Sequence, residues 1–324
     1  MTAPRRLPAG TVFHVVMNAG SGADDKDDSR ARLRRGFAAS GHQVQFHLID
    51  RAEDIEATIA QGKKACAGDG GVLVAAGGDG TINAAAAALA GGPVPLAVVP
   101  MGTFNYFARD IGMPPDPLDA ASAIAGGTIK PMHLARLNGR PFLVNASLGL
   151  YVKLIKERER FGFRFGRSRI MAVLSGLVTA LRGHHTMGLD MTIDGKQRSL
   201  RSAMVFLGKN YLQLKTLNFD IAEGVASGQL GVILLRDARL ATLLSLAWRA
   251  MSGRIEATPR LDAFCAERLV ITPHRARVEA VIDGEIVRVN SPLQIEVDKD
   301  ALLVVRPRPA DQQAEKNSLA QAEG

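Results

Sequence analysis

Cysteine is scarce in this chain. Cys66 and Cys265 lie far apart, and neither has a redox pair or metal spacing around it. That excludes a disulfide framework and suits a reducing cytoplasm. The seven histidines, at 14, 42, 47, 133, 184, 185 and 274, show no zinc-ligand spacing either. No Gly-x-Ser-x-Gly elbow occurs, since "NAGSG" at 18–22 lacks it, so serine-hydrolase chemistry is not expected. An uninterrupted hydrophobic span is also missing. The longest uncharged run, Gly80 to Ala108, is cut by Gly91, Gly92, Pro93, Pro95 and Pro100, and lipid would leave the broken backbone groups unpaired. "MTAPRRLPAG" at the start carries no apolar stretch before a cleavage site, so no export signal is expected. There is no repeat at a solenoid period.

Acidic residues are in deficit, 32 Asp and Glu against 40 Lys and Arg, which leaves a formal charge of +8 and points to an anionic partner. Part of the excess is concentrated in "KLIKERERFGFRFGRSR", residues 153–169, where seven Lys or Arg face two Glu and three Phe are interleaved. Such a run reads either as a solvated helix and loop or as a membrane-surface patch whose rings enter the interface while Arg meets lipid phosphate. No nucleic-acid-binding module accompanies the charge, so nucleic acid is not an expected partner.

The 324 residues suffice for two cores. From Thr11 to about Gly126 strand and helix patterns alternate: strands at 11–18, 42–49, 71–76 and 95–99, helices at 29–40, 52–64, 81–90 and 116–126. Strands joined by crossover helices pair in parallel, which predicts a layered α/β domain with its site at the strands' C-terminal ends. Past Lys130, Asn138-Gly139, Asp194-Gly195 and Asp283-Gly284 each mark a tight hairpin, so the second half is expected to be mostly β, interrupted by apolar helical stretches at 168–182 and 239–252. The expected division is an α/β domain over 10–130, a β-rich domain over 131–308 and a polar tail over 309–324.

Three small-residue loops follow strands on the same rim: 18–22, "GGDGT" at 77–81 and "PMGTFN" at 100–105. Backbone N–H groups of such loops can converge on one polyanion, helped by a helix starting near Ile82 with Thr81 as its N-cap. Asp79 in this setting would repel a triphosphate by about 4 kcal/mol for unit charges about 4 Å apart at a dielectric of about 20. A divalent cation turns that repulsion into a bridge, and the plain alternative is an Asp that caps its own turn.

"GGDGTIN" after an apolar strand, "PMGTFNYFARDIGMP" about twenty residues later and "IDGEIV" near the C-terminus together resemble the diacylglycerol kinase catalytic superfamily of bacterial lipid kinases. The resemblance runs from Val12 to Arg306. It implies an N-terminal α/β domain with a parallel sheet, like that of NAD kinases and diacylglycerol kinases, and a C-terminal β-sandwich domain that completes a cleft. Asn18, Gly20, Ser21, Gly22, Gly77, Gly78, Asp79, Gly80, Thr81, Ile82, Asn83 and Thr103 would then line the ATP phosphates, with Mg²⁺ at Asp79. Asp283 would accept the proton of the attacking hydroxyl, with Glu285 beside it. The chemistry agrees, because a carboxylate can orient a lipid hydroxyl and take its proton as the bond to phosphorus forms.

The implied activity is transfer of the ATP γ-phosphate to diacylglycerol or a similar lipid. The implied place is the cytoplasm, peripheral at the inner membrane face, and family members often pair as homodimers. The chain departs from the family pattern at Ala19, where Pro is usual, and at 22–26, where Lys26 is the nearest cation. It also departs at Leu48, in place of a nucleotide-contacting Thr, and at Ser227-Gly228, where an Asp-Gly pair usually helps hold a structural Mg²⁺. These departures motivate the alternative of a nucleotide- or lipid-binding regulator with weakened turnover. An NAD kinase is less favoured, because "NASLGLYV" at 145–152 matches that family's Asn-x-Gly-x-Leu-Gly-Phe pattern poorly.

Overall fold

In a computed structural model the chain is described over residues 5–18, 23–165, 186–216, 221–237 and 261–308. The apolar stretches at 168–182 and 239–252, the tail at 309–324 and residues 166–169 of the basic run lie outside these residues. The backbone divides into two compact units, 1–134 with 299–324, and 135–298.

In the first unit, strands Val12–Asn18, Gln43–Ile49, Val72–Gly77 and Leu96–Pro100 form a parallel sheet. Its spatial order places Gln43–Ile49 at the edge, then Val12–Asn18, Val72–Gly77 and Leu96–Pro100. Every residue of Val72–Gly77 is buried, as a strand covered on both faces requires. Helices Ala23–Ala39, Ile55–Asp69, Asp79–Leu89 and Pro117–Ala125 supply the cover. Phe13 of the sheet stacks on Phe37 of the first helix at 4.3 Å between centroids. Pro117–Ala125 starts where local chemistry dictates: the Asp116 carboxylate accepts from the Leu118 and Asp119 N–H groups, and Pro occupies the first helical position. Strand order reverses between Val12–Asn18 and Val72–Gly77, so the loops leaving these two strands flank the crevice where open α/β sheets bind ligands.

Two features differ from the linear reading. Strand Leu293–Arg306 crosses the boundary, and its second half rejoins the first unit, with Val304 in parallel register with Leu96. The helix after Val72–Gly77 begins at Asp79, with extended Gly78 (φ −80°, ψ −179°) as its N-cap, so Thr81 is inside the first turn and is not the cap. A carboxylate in the first turn is favoured by the helix dipole, which is why the helix can start on Asp79.

The second unit is mostly antiparallel. One sheet orders Leu261–Ala266, Leu230–Leu235, Met204–Gly208, Asn145–Gly149, Arg277–Ile282 and Glu285–Asn290. The other carries Lys196–Ser202, Met187–Ile193, Arg268–Pro273 and the first half of Leu293–Arg306. A shared core of Leu148, Val205, Val232 and Ala280 from one sheet and Leu189, Ile271 and Leu293 from the other makes a sandwich. The predicted hairpin turns are present: Asn138, Asp194 and Asp283 have φ of 48°, 46° and 47°, and the glycine after each is also positive, the two-residue turn that matches strand twist.

Candidate functional site

The Gly77–Asn83 and Pro100–Asn105 segments are built against one another. Gly77 and Pro100 are in register on adjacent parallel strands, and the Met101 N–H continues the ladder to the Gly77 carbonyl at 2.9 Å. A Cβ on Gly102 would stand 2.7 Å from the Cα of Gly78, so only glycine lets these backbones approach. A Cβ on Gly77 would stand 2.7 Å from Thr81 Oγ1.

Asn105 closes the arrangement. It adopts the left-handed conformation (φ 49°), which Asn tolerates better than most residues. Its side chain accepts from the Gly102 N–H at 2.9 Å and donates to the Gly102 carbonyl at 2.8 Å. Its own N–H donates to Asp79 Oδ2 at 3.0 Å. Sequence reading singled out Asp79 and Thr103 but missed Asn105; an Asn immediately before the helix Tyr106–Asp110 was the available signal.

The opening helix residue Asp79 therefore braces the neighbouring loop, a role wider than capping its own turn. Burial pushes its carboxyl above the usual range, while N–H groups of Asn105, Tyr106, Phe107 and Asp79 itself pull the other way. Its Oδ1 is buried and has no hydrogen-bond partner, as does Asn83 Oδ1 one helical turn along. Thr103 and Gly80 are exposed, whereas Thr81 and Ile82 are buried. The Ile82 side chain belongs to the core, and its N–H already donates to the Gly78 carbonyl at 3.2 Å. Asn18 ends the adjacent strand and is exposed; Gly20, Ser21 and Gly22 lie outside the described residues.

In the second unit, Asp283 sits at the tip of the hairpin Arg277–Ile282/Glu285–Asn290. Its Oδ1 accepts from Val144 and Asn145 N–H at 2.8 and 2.9 Å, and Oδ2 accepts from Leu143 N–H at 2.8 Å. The Asp283 N–H returns a bond to the Asn145 carbonyl at 2.8 Å. A carboxylate has about four lone-pair directions, so at most one is left for a substrate proton. Asn145 itself is 5% exposed, and its side-chain Nδ2 donates to Gln213 Oε1 at 3.2 Å. Glu285 is exposed and paired with Arg140 at 2.6 Å. Ser227 Oγ donates to the Gly224 carbonyl at 2.8 Å, closing the end of the helix Ala222–Ala226.

Among the described residues no group of three or more His, Cys, Asp or Glu could hold a metal. The unpartnered Asp79 Oδ1 does fit a cation that takes its other ligands from phosphate and water, the usual habit of Mg²⁺.

The family described as "Diacylglycerol kinase catalytic domain" matches residues 12–137, spanning both glycine loops. A diacylglycerol kinase of Staphylococcus saprophyticus is 38% identical over 224 residues, 66% of this chain and 70% of that protein. The chain belongs to the diacylglycerol kinase family. The diacylglycerol kinase of Bacillus subtilis (strain 168) is 28% identical over 258 residues, 74% of this chain and 78% of that protein. "Probable lipid kinase YegS-like" of Pseudomonas aeruginosa is 45% identical over 84 residues, 25% of this chain and 28% of that protein. In fold, the crystal structure of a diacylglycerol kinase from Bacillus anthracis str. Sterne superposes with a TM-score of 0.66 at 18% identity, covering 94% of this chain and 99% of that one. Membership places this chain among lipid kinases, for which ATP is the implied phosphoryl donor. Among the described residues no helix is long and apolar enough to cross a membrane.

Proposed function

We propose that the protein transfers the γ-phosphate of ATP to the hydroxyl of diacylglycerol or a similar lipid. The observation that carries this reading is the pair of glycine turns locked together through Asp79 and Asn105, in a chain of this family. Backbone N–H groups of Gly78 and Gly80 and the Thr103 hydroxyl are the proposed phosphate contacts, with the helix Asp79–Leu89 adding its positive end. Asp79 is the proposed protein ligand of Mg²⁺, which when bound neutralises phosphate charge. Asp283 is the proposed proton acceptor, with Glu285 beside it, and residues 153–169 are the proposed contact with an anionic membrane surface.

One observation favours a second reading, a nucleotide- or lipid-binding regulator with weak turnover: three N–H donors already hold the Asp283 carboxylate. Incubation with labelled ATP, Mg²⁺ and a panel of lipids in mixed micelles, with NAD in a parallel tube, separates these readings. Label in diacylglycerol supports the kinase, and label in NAD overturns it. ATP binding without transfer to any lipid supports the regulator.

A further inference from the structure

Within the second unit, one wall of the fold carries charge where a buried face would be apolar. Val152 and Ile155 of the helix Leu150–Phe165 pack on Val281, close to the tip of the hairpin Arg277–Ile282/Glu285–Asn290. Toward the open end of that hairpin the packing stops, and a cavity of about 800 Å³ lies between the helix and the strands. Leu150, Met187, Ala203, Pro273 and Val278 give it an apolar floor. Its rim is cationic: Lys153 comes from the helix, Arg275 from the loop after Arg268–Pro273, and Arg277 and Arg288 from the hairpin.

Strand geometry explains the clustering. Arg277 and Glu279 are two apart and so share a face, and Arg288 is the register partner of Glu279 across the hairpin. Glu279 is the carboxylate on this wall among the described residues, and Lys156 neutralises it with Nζ 2.6 Å from both oxygens. Lys153, Arg275, Arg277 and Arg288 have no ion pair among the described residues. Four exposed cations without an ion pair among the described residues, set around an apolar cavity of ligand size, suit a partner that is anionic at one end and apolar at the other.

We propose that this cavity binds one anionic glycerophospholipid of the bilayer, its phosphate held by Lys153, Arg275, Arg277 and Arg288 and its acyl chains lying on the apolar floor. A neutral diacylglycerol would leave the rim charges unanswered, so this ligand is a docking lipid separate from the phosphoryl acceptor. The choice of a lipid over a soluble anion rests on the lipid-kinase reading.

Isothermal titration of the full chain with dihexanoyl phosphatidylglycerol tests it, with dihexanoyl phosphatidylcholine and glycerol 3-phosphate as controls. The first should bind at least tenfold more tightly than either control. Arg277→Gln and Arg288→Gln, at exposed positions where folding is undisturbed, should each weaken it about fivefold, the contribution typical of one cation at an anionic lipid surface. Equal affinity for phosphatidylcholine, for which the charge is compensated, would overturn the anionic preference. Equal affinity for glycerol 3-phosphate would overturn the role of the apolar floor. Unchanged binding in both variants would overturn the site. Transfer to soluble dihexanoylglycerol should be the same in both variants as in the parent; its loss would place these cations in the catalytic site and end the docking proposal. If the parent binds the lipid yet transfers nothing, the kinase reading fails and the lipid site stands.

Discussion

Replacing Asp283 with Asn separates the two roles that one carboxylate can have. Asn keeps Oδ1, which can still accept from Val144 and Asn145, but puts an NH₂ opposite the Leu143 N–H that Oδ2 now meets at 2.8 Å. One charge-assisted bond is lost and two donors face each other beside Leu143, which is 3% exposed. A hydrogen bond to a charged group contributes about 1.5–3 kcal/mol, and for a unit of this size each kcal/mol shifts Tm by about 2–4 °C, so a drop of about 3–12 °C is expected. Asp283→Ala would leave three N–H groups unsatisfied at about 1–3 kcal/mol each, too damaging to interpret as catalysis. The assay is therefore Asp283→Asn, measured by differential scanning calorimetry and by phosphoryl transfer well below its Tm. Expected are a lowered Tm, transfer reduced by about 10²-fold or more as for loss of a general base, and ATP affinity largely intact. An unchanged Tm would refute the structural part of the reasoning. A folded variant with normal turnover would refute the proton-acceptor assignment.

Gly102→Ala forces a Cβ to within 2.7 Å of the Gly78 Cα and 2.9 Å of Asn105 Oδ1, so ATP affinity should fall about tenfold or more, at about 1–3 kcal/mol of overpacking, with little change in lipid affinity; equilibrium dialysis with ATP checks this. Asn105→Gly keeps the left-handed turn but loses both side-chain bonds to Gly102, while Asn105→Ala also strains the backbone by about 1–2 kcal/mol, so ATP affinity should rank parent, Gly, Ala. Cys66 is 1% exposed and its thiol is pushed up to about 12, first by burial and then by Asp69, so a thiol reagent should modify it only after unfolding; mass spectrometry of native and denatured samples gives the answer. His47 is held below its ordinary value of 6.5, by burial and then by His14, whose Nδ1 lies 3.1 Å from His47 Nε2. The unfolded chain therefore takes up this proton first, and the stability present above 6.5 is lost as pH falls through the window down to the folded-state value. His47→Gln should flatten that part of the stability–pH curve, and an unaltered slope would remove His47 as its source.

The alternation of the first unit was legible because strands buried on both faces must be continuous apolar runs, as Val72–Gly77 is. The second unit's hairpins were legible because Asn-Gly and Asp-Gly supply the two positive φ angles of the turn. What could not be read is non-local. Nothing near residue 304 signals pairing with Leu96, since a parallel partner shares no turn with it. The glycines at 77, 78 and 102 were visible, but the closeness of Gly102 to Gly78 depends on the register of two strands separated by a helix. The Asn at 105 was visible in the loop, but its role was not, because its decisive bond reaches a side chain 26 residues earlier. Asp283 was read as a hairpin residue of catalytic type, whereas its three N–H donors come from a segment about 140 residues before it.

The two aspartates at the centre of the reading differ in a way that follows from their surroundings. Asp79 is held by the loop it braces through Oδ2, while Oδ1 is buried without a partner and burial pushes the carboxyl up. That is an unsatisfied acceptor whose charge has a cost, and either a cation or a proton relieves it. Asp283 has the opposite environment, with N–H donors that stabilise the carboxylate and fix its orientation. A carboxylate so held cannot swing away from a hydroxyl placed against it, and orientation is the larger requirement where the transition state is loose. On that argument the tight cradle of Asp283 is compatible with a proton acceptor that works by position, and the unsatisfied oxygen of Asp79 is better suited to a cation than to the reacting hydroxyl.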